Sequence, residues 1–316
     1  MWTIKQPSKI IFGKNSLRDF SFPKNCLIIT SKGAKSRGWF EYAGLTNQQI
    51  FDEVEPNPSI QTVNKIILQF KNSNFTHIVG IGGGSSMDVA KFCAFKMNKK
   101  KILIPTTFGS GSEVTRISVL KVDGKKKSFH DDALFADIAI IDSFFIENSD
   151  QEIIKNSAID ACAQCTEAYD STISNPYTKF LCNTAFDLLE EGIMKKDYEK
   201  LVIGSLVDGL GFGNASTTLG HALSYVYSNE GISHGHALAF TTLIAHKFNN
   251  SIYFERFLKL VKHLKFESII INQNLDDAAE LILTDKKHLD HNPQNVSKVD
   301  IKKLLTKINT LNLSNF

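Results

Sequence analysis

The sequence has little of what marks fibrous, low-complexity or nucleic-acid-binding chains. Its 19 glycines and 7 prolines among 316 residues are too few for a collagenous or low-complexity protein. Lys and Arg number 36 against 33 Asp and Glu, and a net charge of +3 is too small to indicate a nucleic-acid binder. The basic runs Lys99–Lys101 and Lys125–Lys127 are typical of solvated loops. Since 42% of the residues are hydrophobic, the composition indicates an ordinary globular protein.

The sequence also lacks a secretory signal region and any apolar run near the roughly 18 residues that a membrane span requires. We therefore expect a cytoplasmic protein with no membrane partner. Five cysteines in a chain without a signal indicate reduced thiols, not a disulfide framework. Cys162 and Cys165 form a C-x-x-C pair, but no second pair completes a zinc site, so a packing role is favoured.

The length of the chain favours two domains, and the pattern changes near residue 150. Residues 1–150 alternate short apolar or β-rich runs with helical periodicity, which predicts a doubly wound α/β domain. The predicted strands are Lys9–Gly13, Cys26–Thr30, His77–Ile81 and Ile102–Ile104, and the predicted helices are Pro58–Lys71 and Val89–Phe95.

Residues 151–316 carry long amphipathic stretches and few strand-like runs. They predict an all-helical second domain. The expected helices are Ile153–Tyr169, Tyr177–Met194, Leu201–Tyr227, His236–Phe248 and Lys298–Leu311.

Two loops rich in small residues follow predicted strands of the first domain. Gly80–Ser86 contains three consecutive glycines and precedes a helix, whose N-terminus offers unpaired N–H groups to an anion. Its spacing is neither a Rossmann fingerprint nor a Walker A loop, so a pyrophosphate cradle and a simple tight turn both remain open. The second loop, Pro105–Glu113, leaves the carboxyl end of the next strand, the edge where open α/β sheets bind ligands.

A set of polar residues in the second domain has the chemistry of a metal site. Three of them share one face of a predicted helix, and imidazoles follow downstream; the set is Asp160, Gln164, Glu167, His221, His234 and His236. Carboxylate, amide and imidazole groups are ligands that divalent metals accept. Solvated acidic residues and packed histidines are the alternative interpretation.

Taken in order, these motifs resemble those of the iron-dependent (group III) alcohol dehydrogenases. Gly82–Lys91 resembles the family's GGGS-x-x-D-x-A-K motif, and Pro105–Thr115 resembles its PTT-x-GTGSE-x-T loop. The later ligand motifs of the family and its NP tail motif have counterparts in Asp160-Ala161, Gly220-His221-Ala222, Ser233-His234-Gly235 and Asn292-Pro293. The resemblance extends over nearly the whole chain.

The resemblance implies a dehydroquinate synthase-like architecture, with a dinucleotide-binding domain over 1–150 and a helical metal-binding domain over 151–316. It implies hydride transfer between NAD(P)H and an aldehyde or alcohol, in a protein we expect to be a homodimer. The implied ligands of one divalent metal, with Fe²⁺ ahead of Zn²⁺ or Mn²⁺, are Asp160, Gln164, His221 and His234, of which Asp160, His221 and His234 are catalytic. The implied cofactor-binding residues are Ser31, Asn57, Gly82, Gly83, Gly84, Ser85, Asp88, Thr106, Thr107, Ser110 and Lys126.

The sequence departs from the family pattern at several positions. Gln164 replaces a histidine ligand, and its amide oxygen shifts the expected metal preference from zinc towards Fe²⁺ or Mn²⁺. Tyr225 replaces a second histidine that many members carry. Ser31 replaces the acidic residue that binds the ribose 2′-hydroxyl, which favours NADPH. The segment between Lys91 and Ile102 is also shortened.

The combination of Gln164, Thr217-Thr218 and Tyr225 resembles the phosphonoacetaldehyde reductases. That likeness implies a short aldehyde with an anionic group as substrate, contacted by Arg116, Tyr225 and His236. Three alternatives remain open. The first is a general alcohol dehydrogenase of the same family. The second is a sister enzyme on the same fold, such as a dehydroquinate synthase-like lyase or a glycerol-phosphate dehydrogenase, against which the GSGSE loop argues. The third is a non-catalytic relative that acts as a binding protein.

Overall fold

The computed structural model describes residues 1–147 and 149–313. The chain divides into two compact units. One unit is Ile4–Ser149, and the other combines Met1–Thr3 with Asp150–Phe316. Every strand of the described residues lies in the first unit.

The first unit is built on a parallel six-stranded sheet of order β1-β8-β5-β4-β2-β3, with a separate antiparallel hairpin β6-β7. Its strands are β1 Lys9–Phe12, β2 Cys26–Ile29, β3 Gln49–Phe51, β4 His77–Gly82, β5 Lys100–Pro105, β6 Ile117–Val122, β7 Lys125–His130 and β8 Ile138–Ile141. Its helices are α1 Trp39–Ala43, α2 Ile60–Phe70, α3 Gly84–Met97 and α4 Phe144–Glu147. The four predicted strands and the predicted α/β class are confirmed.

The strand order places a topological switch point between β2 and β4. From β2 the chain continues to β3 on one side, and β4 then pairs with β2 on the other side. Ligands of open parallel sheets bind at such a point, beside the carboxyl ends of the strands. Ser31 follows β2 here, and the glycine-rich loop follows β4.

Strands β3 and β8 and the β6-β7 hairpin are not among the strands predicted from the sequence. Lys125–Lys127, interpreted as a solvated loop, is part of strand β7, although these side chains are exposed as expected. The turn of the hairpin is Asp123-Gly124, with φ of +51° and +77°. Asp-Gly is a strong signal for a two-residue hairpin turn, and it could have revealed both strands.

The second unit is all-helical over its described residues. Its helices are α5 Gln151–Asp170, α6 Pro176–Lys195, α7 Tyr198–Phe212, α8 Leu219–Asn229, α9 His234–Asn249, α10 Phe254–Leu264, α11 Leu275–Leu283, α12 Lys286–Leu289 and α13 Lys298–Asn309. The prediction of one helix over Leu201–Tyr227 is wrong, because the chain breaks after α7 and restarts at α8. The start of α8 is capped by side chains from outside Leu201–Tyr227. The sequence of that segment alone therefore does not show where α8 begins.

All five cysteines are buried free thiols, as the sequence indicates. Among the described residues, no helix is both long and apolar enough to cross a membrane.

Candidate active site

The glycine-rich loop at the end of β4 leaves no room for side chains. Gly82 has a φ of +150°, and a Cβ there would lie 2.7 Å from Oγ of Ser86. A Cβ on Gly83 would lie 3.1 Å from Oγ1 of Thr107. The N–H of Thr106 donates to the carbonyl of Gly82 over 2.9 Å, which joins the two predicted loops. A ligand can therefore approach the backbone of this loop closely.

The N-terminus of α3 completes this cradle. Its N-cap, Gly83, makes no side-chain hydrogen bond to the helix. The N–H of Ser86 donates to the carbonyl of Gly83 over 3.0 Å, so the N–H groups of Gly84 and Ser85 are the ones that an anion could contact. A Cβ on Gly84 would lie 3.2 Å from Ser110, and Ser85 is partly exposed beside it. The structure thus brings seven predicted cofactor residues together, and the site fits a nucleotide phosphate: Gly82, Gly83, Gly84, Ser85, Thr106, Thr107 and Ser110.

The carboxylate of Asp88 is engaged within the protein. Its two oxygens accept from Oγ of Ser112 over 2.6 Å and from the N–H of Val119 over 3.0 Å. The fully buried ammonium of Lys91 lies 3.3 Å from the same carboxylate and donates to the carbonyl of Ser112. Asp88 therefore holds in place the segment that carries Thr107 and Ser110. The sequence predicted a cofactor contact for Asp88, but it did not predict this structural role.

The remaining residues predicted for this unit lie apart from these contacts. Ser31 is partly buried just after β2, next to Thr30, whose buried hydroxyl has no hydrogen-bond partner among the described residues. Asn57 is exposed with a φ of +52°, and Lys126 lies in β7. Arg116, predicted to bind an anion, pairs with Asp132 over 3.0 Å, and 41% of its side chain is exposed.

In the helical unit, three predicted metal ligands converge from three helices. Oδ1 of Asp160 on α5 lies 3.8 Å from Nε2 of His221 on α8 and 4.0 Å from Nε2 of His234 on α9. One ligand atom from each residue lies within 4.8 Å of the other two. Ligands about 2.0–2.2 Å from a common ion have this order of separation, so the cluster fits a divalent cation.

Gln164 adds a fourth polar group to this cluster. It lies one turn after Asp160 on α5, and its Nε2 donates to Oδ1 of Asp160 over 2.9 Å. Its Oε1 is buried without a hydrogen-bond partner among the described residues. An orphaned amide oxygen beside a carboxylate and two imidazoles is what a bound cation would satisfy.

Glu167, which the sequence analysis placed on this helix face without a role, holds His221. Oε2 of Glu167 lies 2.8 Å from Nδ1 of His221 and accepts from the N–H of Thr218 over 2.7 Å. Although burial opposes ionisation, His221 and the Thr218 N–H hold the pKa of Glu167 below its ordinary value. Burial would lower the pKa of His221, but the carboxylates of Glu167 and Asp160 outweigh it and raise that pKa to about 9. This carboxylate–imidazole pair orients Nε2 of His221 towards Asp160.

The start of α8 is capped from outside the helix. Thr218, its N-cap, makes no side-chain hydrogen bond to it. Glu167 accepts from the N–H of Thr218, and Oδ1 of Asn292 accepts from the N–H of Leu219 over 3.4 Å. Asn292 also exchanges two hydrogen bonds with Asn249 of α9, over 2.8 and 2.9 Å. The predicted NP tail motif therefore ties α9 to the helix that carries a metal ligand.

The start of α9 is docked against α5. Oγ of Ser233 donates to Oδ1 of Asn156 over 2.7 Å. A Cβ on Gly235 would lie 2.2 Å from the carbonyl oxygen of Asn156, so only glycine fits. The residues on both sides of His234 thus fix it against the helix that supplies Asp160.

The rings of Tyr225 and His288 flank the imidazoles of His221 and His234, and nothing in the sequence indicated His288. The ring of Tyr225 stacks on His234 with centroids 6.3 Å apart, and the ring of His288 stacks on His221 at 6.1 Å. Tyr225 and His288 meet edge to face at 5.7 Å. His288 is buried, and its Nδ1 lies 2.6 Å from Oδ2 of Asp285. Burial lowers the pKa of His288, and the carboxylate of Asp285 opposes this shift.

His236, predicted to contact substrate, does not join this cluster. Its Nε2 lies 2.6 Å from the carbonyl oxygen of Glu267, and its ring packs against Phe240 and Phe266. Residues two positions apart on a helix point about 200° from each other, so His236 faces away when His234 faces the cluster.

Two curated relatives and a solved structure resemble this chain. The 4-hydroxybutyrate dehydrogenase of Clostridium kluyveri is 36% identical over 209 residues, which span 57% of this chain and 56% of that protein. The NADPH-dependent butanol dehydrogenase of Clostridium saccharobutylicum is 26% identical over 87% of this chain and 81% of its own length. The iron-containing alcohol dehydrogenase of Thermotoga maritima superposes with a TM-score of 0.89 at 24% identity, covering 98% of this chain and all of that chain. This structural likeness confirms the predicted dehydroquinate synthase-like architecture.

The family assignment rests on matches along most of the chain. Residues 7–143 match the iron-containing alcohol dehydrogenase family, and residues 154–284 match the C-terminal family of Fe-containing alcohol dehydrogenases. With the glycine-rich cradle and the Asp160-His221-His234 cluster already in place, these matches confirm the resemblance seen in the sequence motifs. The chain belongs to the iron-containing alcohol dehydrogenase family.

Proposed function

We propose that this protein catalyses hydride transfer between NAD(P)H and a short aldehyde, giving the alcohol. The observation that carries the proposal is the convergence of Asp160, His221 and His234 beside the orphaned oxygen of Gln164. A non-catalytic binding protein has no need of such a cluster. The membership of the family supports the same reaction class.

The residues of the chain divide the work of this reaction. A divalent cation held by Asp160, Gln164, His221 and His234 would supply Lewis acidity to the carbonyl oxygen, and a nicotinamide would supply the hydride. Glu167 holds His221 in position, and the glycine-rich cradle would hold the phosphates of the cofactor.

We infer that NADPH is used at least as well as NADH. Ser31 carries no charge where an acidic residue would repel a 2′-phosphate, and Lys32 follows it. The relative from Clostridium saccharobutylicum is described as NADPH-dependent, which supports this inference.

Phosphonoacetaldehyde is the narrower substrate that the sequence pattern of Gln164, Thr217-Thr218 and Tyr225 favours. The relative from Clostridium kluyveri is named for a substrate that also carries an anionic group, which supports this class. Arg116 and His236, the expected anion partners, are paired with Asp132 and the Glu267 carbonyl. An anionic substrate would need to displace these partners or to use other residues.

The experiment is an assay of purified protein loaded with Fe²⁺, with NADH or NADPH, against acetaldehyde, propionaldehyde and phosphonoacetaldehyde. We expect cofactor oxidation that depends on metal and aldehyde, and that His221→Ala abolishes. His263→Ala, which changes an exposed histidine of α10, is the matched control and should keep the wild-type rate. If the loaded protein oxidises neither cofactor with any aldehyde, the proposal fails. Equal kcat/KM for phosphonoacetaldehyde and propionaldehyde would remove only the narrower substrate.

A further inference from the structure

Lys91, on the second turn of α3, is fully buried, and its ammonium already has a full set of partners. Its Nζ donates to the carbonyl of Ser112 over 2.8 Å and to the carbonyl of Ile117, and it lies 3.3 Å from Oδ1 of Asp88. An ammonium has three N–H groups and therefore three hydrogen bonds to give. These three partners occupy it, so Lys91 is not itself a phosphate ligand.

The partners of Lys91 fix one end of the second loop, Pro105–Glu113, on α3. Ser112 lies near the end of this loop, and Ile117 begins β6. Asp88 holds the same place, because it accepts from Oγ of Ser112 over 2.6 Å. The N–H of Thr106 fixes the other end of the loop on the glycine-rich loop. The loop is therefore held at both ends.

Ser112 transmits the constraint from Lys91 to Ser110. The N–H of Ser112 donates to Oγ of Ser110 over 3.3 Å. That Oγ lies 3.2 Å from the place that a Cβ on Gly84 would occupy, at the start of α3. The bond from Ser112 uses a lone pair of the hydroxyl and leaves its hydrogen able to donate to a phosphate oxygen. The position of this donor relative to the helix N-terminus therefore depends on Ser112, and through it on Lys91.

We propose that Lys91 is a positioning residue for the dinucleotide, which sets the affinity for the cofactor's phosphates by holding Ser110 opposite the start of α3. It contacts neither the phosphates nor the reacting atoms. A buried ion pair such as Lys91 and Asp88 adds little net stability, and the placement of the loop gives it a function. This inference rests on the proposed use of NAD(P)H and names a residue that tunes its binding.

Lys91→Met tests the proposal, because it keeps the length of the side chain and removes the ammonium. A hydrogen bond to a charged group is worth about tenfold or more in affinity. We therefore expect the Kd of NADPH, measured by its fluorescence change on binding, to rise about tenfold, and the KM of NADPH with it. The value of kcat at saturating NADPH should stay within about twofold of the wild type. The metal content should not change.

Lys101→Met is the matched control. Lys101, which the sequence placed in a solvated basic run, is only 8% exposed and pairs with Asp137 over 3.5 Å. It lies near the start of β5, whereas both loops follow the carboxyl ends of strands. The control thus removes another buried ammonium of the same unit, and the Kd of NADPH should stay at the wild-type value. A rise equal to that of Lys91→Met would show that general destabilisation explains both.

A double-mutant cycle tests whether Lys91 acts through Ser110. Ser110→Ala should weaken NADPH binding by itself, and Lys91→Met/Ser110→Ala should bind NADPH no more than about twofold more weakly than the weaker single variant. If Lys91→Met fails to fold, Asp88→Asn/Lys91→Met removes both charges of the pair, and an amide oxygen remains to accept from the N–H of Val119. The Kd of NADPH should rise by the same factor.

Three results would overturn the positioning role while leaving the proposed reaction intact. They are an unchanged Kd of NADPH without the ammonium, a loss of kcat at an unchanged KM of NADPH, and fully additive effects of Lys91→Met and Ser110→Ala. A wild type that neither binds nor oxidises NADPH or NADH would instead refute the proposed function.

Discussion

Oε2 of Glu167 lies 2.8 Å from Nδ1 of His221, and the same oxygen accepts the N–H of Thr218 at the start of α8. One buried carboxylate thereby caps the helix and orients the imidazole that the helix carries. The position and the orientation of His221, a proposed metal ligand, are therefore coupled through the side chain of Glu167. The metal affinity of the cluster should therefore depend on Glu167, which is not itself one of the proposed ligands.

Glu167→Gln should lower metal affinity about tenfold to a hundredfold, because partners that orient a ligand histidine have effects of that size. The amide oxygen can still accept from Thr218, so the helix should keep its start and the protein its fold. Titration with Co²⁺ or Fe²⁺, followed by calorimetry, measures the change. Glu199→Gln, an exposed change on α7, is the control. Unchanged affinity in Glu167→Gln would show that His221 is held by other contacts.

Gly220→Ala should disrupt the same arrangement by steric means. A Cβ at Gly220 would lie 1.9 Å from Oε1 of Glu167 and 2.7 Å from Oγ1 of Thr242. Overpacking of this kind typically costs about 1–3 kcal/mol of unfolding free energy. The displaced carboxylate should also reduce metal affinity.

The control variant Gly204→Ala separates the loss of stability expected for Gly220→Ala from its loss of metal affinity. The three atoms nearest to its Cβ would all belong to Leu189, 2.8 to 3.2 Å away. Denaturant unfolding and metal titration of both variants should show lower stability in each and weaker metal binding in Gly220→Ala alone. Weakened metal binding in Gly204→Ala would mean that general destabilisation explains both results.

Ser31→Asp should move the cofactor preference towards NADH. A carboxylate after β2 would repel a 2′-phosphate, and one such like-charge contact is worth roughly 1–3 kcal/mol, or about tenfold to a hundredfold. The ratio of kcat/KM for NADPH and NADH measures the change. Ser36→Asp adds the same charge at an exposed position of the same loop and should leave the ratio unaltered. A wild type that already prefers NADH strongly would contradict the reasoning.

The sequence reveals the parts of this molecule whose signals are local. The buried apolar strand before Gly82 and the i, i+4 spacing of Asp160 and Gln164 are visible in short windows, and the structure places them as expected. The resemblance to the family motifs identified His221 and His234 as candidate ligands. It did not show which side chains hold their imidazoles in place.

The contacts that the sequence did not predict join residues that are far apart in the chain. Glu167 and His221 are 54 residues apart, and His288 follows His221 by a further 67. The periodicity of the sequence does not show that a side chain on one helix caps another helix. Nor does it show that an imidazole from a four-residue helix stacks on the ring of His221. His236 does not lie with its neighbour His234 in the cluster, because helical geometry turns the two residues apart.

Anomalous diffraction from crystals soaked in Co²⁺ or Fe²⁺ tests the proposed cation site most directly. We predict one peak at the metal's absorption edge, about 2.0–2.2 Å from Nε2 of His221, Nε2 of His234 and an Oδ of Asp160, with Oε1 of Gln164 as the fourth neighbour. His221→Ala crystals soaked in the same way should lose the peak. A peak at another place in the chain, or one that persists undiminished in His221→Ala, would contradict the account.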